Sequence, residues 1–173
     1  MLEKDRLIKT SRFVVQTGFI VNRLFVAAVA LGLLLSWIFY SQLTALLIQQ
    51  NPGIDARSEM TGLRLMLLLG IVMSVAIDRL FKSLSQIIET ARAGDPFIAA
   101  NARRLQRIGW ALLALQLLDI PAALIEKYFP SMGTGTPDSA FSAAGWLGVL
   151  MVFVLSRVFV VGSAMRDELE GTV

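Results

Sequence analysis

The chain has 173 residues, a net charge of +3, and neither histidine nor cysteine. Apolar residues make up 55% of it and charged residues only 17%, against about 25% charged in an ordinary soluble domain. These values favour a membrane protein. The two missing residue types exclude disulfides, thiolate chemistry and imidazole catalysis or metal ligation, so we expect no enzyme, no cofactor and no metal site.

The segment before the first long apolar run combines basic and apolar side chains. Over residues 5–22, apolar pairs such as Val14 and Val15 are interleaved with Arg6, Lys9 and Arg12. This pattern is typical of an amphipathic helix at the membrane surface. The apolar run that follows is longer than the 7–15 residues of a signal peptide core, which argues against a cleaved signal.

Four apolar segments predict membrane spans, because a hydrocarbon core of about 30 Å needs about 20 residues of helix. They cover residues 24–48, 63–82, 107–126 and 141–164. We therefore predict an all-α protein, a four-helix transmembrane bundle that forms a single integral membrane domain over residues 1–173.

The positions of lysine and arginine predict the orientation of this bundle. With four spans, thirteen basic residues fall on one side of the membrane, and the other side has only Arg57, Arg64 and Lys127. Because segments rich in Lys and Arg stay in the cytoplasm, we expect both termini and the connection between spans two and three to be cytoplasmic.

That connection is predicted to be helical. Residues 81–92 keep apolar side chains at helical spacing, so the second helix should continue beyond the bilayer. We expect Gly94 to end it in the left-handed conformation, Asp95 to cap the next helix and Pro96 to occupy that helix's first turn.

Two sequence strings are distinctive. One is GDPF at residues 94–97, followed by NARRLQRIGW at residues 101–110; the other is MRDELEGTV at residues 165–173. With them, the chain resembles the bacterial inner-membrane family catalogued as domain of unknown function 2975. Members are typically encoded beside a small helix-turn-helix transcription regulator. The resemblance therefore implies a sensor that binds or restrains this DNA-binding partner at the cytoplasmic face, and it transfers no catalytic residues.

Ionisable side chains inside the spans are informative because they are costly in hydrocarbon and usually face a partner or water. At 1.5 Å per residue, Asp78 lies about 22 Å along the second helix from its outer end, and Arg157 about 21 Å along the fourth. The matching depths and opposite charges predict an intramembrane ion pair. Such a pair would either fix the register of two helices or switch between two packings.

Asp119 has no basic residue at its predicted depth and lies two residues before Pro121, which typically kinks a helix. Polar and aromatic side chains expected in the same half of the bundle are Gln116, Gln42, Tyr40 and Trp37. One interpretation is a polar pocket for a ligand, a proton or an ion. The other is a hydrogen bond between Asp119 and Gln42 or a backbone group at the kink.

Two charged clusters are candidates for docking at the cytoplasmic face. The basic cluster consists of Arg92, Arg103, Arg104 and Arg107, and the acidic tail contains Asp167, Glu168 and Glu170. The basic cluster fits anionic lipid headgroups or an acidic protein surface, whereas the acidic tail fits a basic partner. No stacking aromatics or recognition fold accompany the arginines, so direct nucleic-acid binding is not expected.

Three function classes follow from these features. The first is a membrane regulatory protein that binds or sequesters a cytoplasmic helix-turn-helix regulator. The second is a small transporter or channel for an ion or small molecule, alone or as a homo-oligomer, using Asp119 or the ion pair. The third is an accessory subunit of a larger membrane complex.

Overall fold

The computed structural model of the chain describes residues 2–50, 52–129 and 142–170, with side chains described from Thr10 onward except at 167, 169 and 170. The described ranges form five helices and contain no strand, which confirms the predicted all-α class. The helices are α1 Leu2–Ile38, α2 Tyr40–Gln50, α3 Ala56–Arg92, α4 Ala99–Tyr128 and α5 Ala143–Glu170.

Four helical segments are long and apolar enough to cross a membrane. They are Thr10–Ile38, Ala56–Arg92, Ala99–Tyr128 and Ala143–Arg166. Large apolar side chains point outward along them, as at Leu34 and Val154, which are 61% and 63% exposed. Because such surfaces are stable in lipid rather than in water, the chain is a multi-pass membrane protein. The predicted orientation in the membrane stays a prediction.

The N-terminal lead is helical, and its position at the membrane surface stays a prediction. It is continuous with the first span in α1, and the interruption falls later, at Phe39, between α1 and α2. Val15 is buried, the ring of Phe81 on α3 fills the space where Gly18 would carry a Cβ, and the rings of Phe19 and Phe81 lie 5.7 Å apart. An amphipathic pattern fits packing against a helix as well as lying on a membrane, so periodicity alone does not separate the two.

The chain divides into two compact units. The first unit consists of Met1–Asn22, Ala76–Ala114 and Ala143–Val173, and the second unit of Arg23–Val75 and Leu115–Ser142.

In the first unit, α4 packs through one face. Its buried residues, at helical spacing, are Asn101, Ala102, Leu105, Ile108, Gly109 and Ala111. The Ser156 hydroxyl on α5 donates a hydrogen bond to the Ala102 carbonyl at 3.0 Å. The ring of Phe153 lies over Gly109 and meets the ring of Trp110 edge-on at 5.5 Å. Small residues therefore let α4 and α5 approach closely.

The second unit also places large side chains against glycines. Phe25 of α1 contacts the position of Gly70 on α3, and Phe129, just after α4, occupies the space beside Gly62. Near the start of α3, Met60 is almost fully buried, at 1% exposure. Close packing in this unit therefore fixes the position of the first turns of α3.

Candidate functional site

The turn between α3 and α4 begins with a glycine-dependent helix end. Gly94 has a φ of +87°, as its position after the helix predicted. The Asp95 amide donates to the Thr90 carbonyl at 3.1 Å and the Gly94 amide to the Ala91 carbonyl at 3.2 Å. This pair of hydrogen bonds is the Schellman motif, which satisfies carbonyls left free at a helix end. As predicted, α3 continues through residues 81–92.

The start of α4 differs from the prediction. We expected Asp95 to cap α4 and Pro96 to lie in its first turn, but α4 begins at Ala99. The Asp95 carboxylate instead pairs with Arg166 on α5. The position of Asp95 between two helices predicts that its carboxylate caps the second one. The ion pair with an arginine of another helix takes the place of that cap.

Phe97 attaches the same turn to α5 by apolar contact. Its ring lies nearly parallel to that of Phe159, with the two centroids 5.0 Å apart. A Cβ at Gly162 would lie 3.5 Å from the Phe97 ring, in ordinary contact. The GDPF string therefore has two anchors on α5, an ion pair from Asp95 and an aromatic contact from Phe97.

A buried asparagine holds the inside of the turn. Asn101 has no exposed surface, and its amide nitrogen donates to the Thr90 hydroxyl at 2.7 Å and to the Pro96 carbonyl at 2.8 Å. Its carbonyl oxygen accepts from Nη1 of Arg104 at 2.7 Å, and the same nitrogen donates to the Gln86 carbonyl at 3.2 Å. One side chain thus connects the end of α3, the turn and the start of α4.

This network divides the predicted basic cluster. Arg104 is half-buried and its guanidinium bonds within the turn, so it serves the fold. The exposed members are Arg92, Arg103 and Arg107. Arg103 and Arg107 lie four residues apart on α4 and so share a face, whereas Arg92 lies 3.6 Å from the carboxylate of Glu89, which weakens its charge.

The acidic tail is described only in part. Glu168 is exposed and Arg166, two residues earlier, is the partner of Asp95. The side chains of Asp167 and Glu170 lie outside the described residues. The start of the tail is therefore attached to the α3–α4 turn.

The turn and its anchors on α5 fall within a known family. Residues 56–173 match the model of a family described as "Protein of unknown function (DUF2975)". The chain belongs to this family. The match includes both distinctive strings and the helices α3, α4 and α5, and it begins after α2. No curated protein and no solved structure matches the chain.

The matched part of the family sequence includes Asp78 and Arg157, which do not form an ion pair in the part of the chain that the structure describes. Asp78 is half-buried, whereas Arg157 is exposed. The neighbouring residue, Ser156, points toward α4, and the next position on a helix is rotated by about 100°. Depth alone predicted the pair, but it did not account for the direction in which Arg157 projects from α5.

Among the described residues, Asp119 forms no hydrogen bond with Gln42 or Gln116, and the pocket around it stays a prediction. Gln42 is exposed and its side-chain carbonyl accepts from the Ser41 hydroxyl at 2.9 Å. Gln116 donates to the Ser142 carbonyl at 3.4 Å, while Asp119 is half-buried on α4, which continues past Pro121 to Tyr128. The aromatic members, Trp37 and Tyr40, contact a different ionisable residue.

That residue is Arg64 of α3, which the distribution of basic residues identified only as one of three outer charges. Its guanidinium lies over the ring of Trp37, 4.1 Å from the ring centroid, and 5.4 Å from the centroid of Tyr40. Nε donates to the Ser36 hydroxyl at 3.3 Å and Nη2 to the Ser36 carbonyl at 2.9 Å. The sequence feature that could have identified this site is an arginine within an apolar helix, together with two aromatic residues near the end of the preceding apolar segment.

These residues line an open groove in the second unit. The lining residues are Trp37, Tyr40, Arg57, Thr61 and Arg64. Ser36, Trp37 and Tyr40 precede the family match, whereas Arg57, Thr61 and Arg64 lie inside it. The groove volume is about 430 Å³.

Proposed function

We propose that this chain is a membrane-embedded regulatory protein that binds or sequesters a cytoplasmic helix-turn-helix transcription regulator at the α3–α4 turn. The observation that carries the proposal is the contact between Asp95 and Arg166, which holds the start of the acidic tail beside the turn. Basic and acidic groups, Arg103 and Glu168 among them, are then exposed in one compact unit.

The charges of the tail favour a DNA-binding partner. Residues 166–170 read RDELE, so three carboxylates follow Arg166 within four positions. A helix-turn-helix protein binds DNA through a basic surface. A tail with this charge would compete with DNA phosphates for that surface, so binding at the membrane would remove the regulator from its operator.

The rigid turn supports the same proposal. Asn101 and the Schellman motif fix the backbone from Thr90 to Asn101, so Arg103 is presented on a pre-organised helix start. Because the turn is already ordered, less conformational entropy is lost when a partner binds. An acidic segment beside a fixed basic surface offers a regulator both electrostatic steering and a defined orientation.

The test is a binding measurement with a small helix-turn-helix regulator of the kind that the family resemblance implies. The full chain, purified in detergent, should bind this regulator and lower its occupancy of operator DNA. A variant with Asp167→Asn, Glu168→Gln and Glu170→Gln should lose most of the binding. The matched control is Glu126→Gln with Asp119→Asn, which removes carboxylates elsewhere. Equal binding by both variants, or none by the full chain, would show the proposal to be wrong.

The proposal also requires the turn and both termini to be cytoplasmic, in the inner membrane of a bacterium. The thirteen-to-three distribution of basic residues supports this orientation. A fluorescent protein fused after Val173 should fold and fluoresce, and alkaline phosphatase inserted after Gly53 should be active. The reverse result for both fusions would exclude docking of a cytoplasmic regulator at the turn.

A further inference from the structure

We propose that the groove lined by Trp37, Tyr40, Arg57, Thr61 and Arg64 binds a phosphate group. The proposal is independent of the regulator, because it concerns the second unit only and its test uses no protein partner. The groove contains two guanidinium groups and two hydroxyls, and its lining includes no Asp or Glu. Its chemistry is therefore that of an anion site.

The first argument is the spacing of the polar residues on α3. Arg57, Thr61 and Arg64 are separated by four and three residues, so all three lie on one face of the helix. The Thr61 hydroxyl donates to the Arg57 carbonyl at 3.0 Å, so the two guanidinium groups are the donors that this face offers to an anion. Two positive charges are thus aligned along one groove wall, whose lining contains no carboxylate.

The second argument is the pre-organisation of Arg64. Its two bonds to Ser36 and its contact with the Trp37 ring fix the plane of the guanidinium. These bonds use Nε and Nη2, so the Nη1 donors remain for a ligand. Arginine in such a fixed plane suits phosphate, since its N–H donors match two phosphate oxygens.

The third argument is that no carboxylate among the described residues pairs with either guanidinium of the groove. In the part of the chain that the structure describes, Arg64 forms no ion pair. Of the two carboxylates nearest in sequence to Arg57, Asp55 caps α3 by accepting from the Arg57 amide at 3.1 Å, and Glu59 is buried and does not line the groove. A partly buried guanidinium without a counter-ion gains most from a bound anion.

The volume and location of the groove give the ligand's chemical class. Its volume of about 430 Å³ exceeds the share of one liquid water, about 30 Å³, more than tenfold. Trp37 is the penultimate residue of α1 and Tyr40 is the first residue of α2, and tryptophan and tyrosine are enriched at the headgroup level of a bilayer. The phosphate can therefore come from a phospholipid headgroup or from a soluble phosphate.

The experiment uses the full chain in maltoside micelles free of phosphate, with Trp110→Phe and Trp146→Phe so that Trp37 is the only tryptophan. One arm titrates inorganic phosphate, and the other titrates short-chain phosphatidylglycerol. A saturable change in Trp37 fluorescence in either arm supports the proposal, and the arm that responds identifies the source. No saturable change in either arm would overturn it.

Arginine variants test whether the response comes from this groove. Arg57→Gln and Arg64→Gln should each weaken binding about tenfold, the effect of losing one hydrogen bond to a charged group. Arg57 is exposed and its guanidinium forms no hydrogen bond or ion pair with the described residues, so we expect its replacement to leave the fold intact. The matched control is Arg79→Gln, an exposed arginine on α3 outside the groove. Equal losses in Arg57→Gln and Arg79→Gln would assign the response to general charge and overturn the proposal.

Discussion

The α3–α4 turn and the Arg64 groove both contain a half-buried arginine, but they differ in what remains available for binding. In the turn, Nη1 of Arg104 bonds to Asn101 and Gln86, and Asn101 has no exposed surface. In the groove, Arg64 bonds to Ser36 alone and lines an open cavity. A polar network whose members satisfy one another stabilises a fold, whereas an arginine with spare donors and no counter-ion is suited to a ligand.

The largest effect should come from Asn101→Leu. This change removes the bonds to the Thr90 hydroxyl and the Pro96 carbonyl and leaves a nitrogen of Arg104 with one acceptor fewer. Because the groups left behind are partly buried, we expect the free energy of unfolding to fall by about 3 kcal/mol. Unfolding in mixed micelles, followed by circular dichroism, measures it.

The matched control for Asn101→Leu is Gln106→Leu on the same helix. Gln106 is exposed and forms no hydrogen bond with the described residues, so its replacement should change stability by less than about 0.5 kcal/mol. Equal effects of the two variants would mean that the turn is not held by a saturated network. The contrast with the groove would then disappear.

The next largest effect should come from Arg64→Lys. Lysine keeps the positive charge but cannot donate to both the hydroxyl and the carbonyl of Ser36, and it lacks the planar group over Trp37. We expect a loss of about 1.5 kcal/mol in unfolding free energy, measured as for Asn101→Leu. Arg79→Lys is the control. A loss as large as that of Asn101→Leu would show that Arg64 is chiefly structural.

Gly94→Ala should have a smaller effect, confined to the turn. No atom lies within 4 Å of the position that a Cβ would take, so steric contact with other residues contributes nothing. The φ of +87° is disfavoured for alanine, and we expect a loss of about 1 kcal/mol. Gly148→Ala is the control, because its Cβ would also meet open space but within α5. In thermal unfolding, the transition temperature should fall for Gly94→Ala and not for Gly148→Ala.

Features that depend on local sequence could be predicted. The four apolar segments follow from composition and length alone, and Gly94 follows from the rule that helices often end in a left-handed glycine. The extension of α3 through residues 81–92 follows from apolar spacing. None of these needs the position of another helix.

Features that depend on helical phase could not be predicted. The sequence predicts the same depth for Arg157 and Asp78, yet Ser156 occupies the buried face of α5 and Arg157 is exposed. The contact of Arg64 with Ser36 joins residues 28 positions apart at a helix interruption, and no pattern in the sequence marks Phe39 as that interruption. The same limit applied to Asp95, whose partner lies 71 positions away.

The pair of Asp95 and Arg166 should contribute least to stability, although it carries the proposed docking geometry. Its side chains are 41% and 39% exposed, so solvent screens their attraction. A double-mutant cycle with Asp95→Asn and Arg166→Gln should give a coupling energy of about 0.5 kcal/mol, which falls as salt is raised. In both single variants, the free energy of regulator binding should change far more than the free energy of unfolding, because each substitution releases the start of the tail from the turn. If regulator binding is unchanged although the coupling energy is present, the ion pair only stabilises the turn. The two regions then differ solely in whether their arginine keeps N–H donors that bond to no protein group.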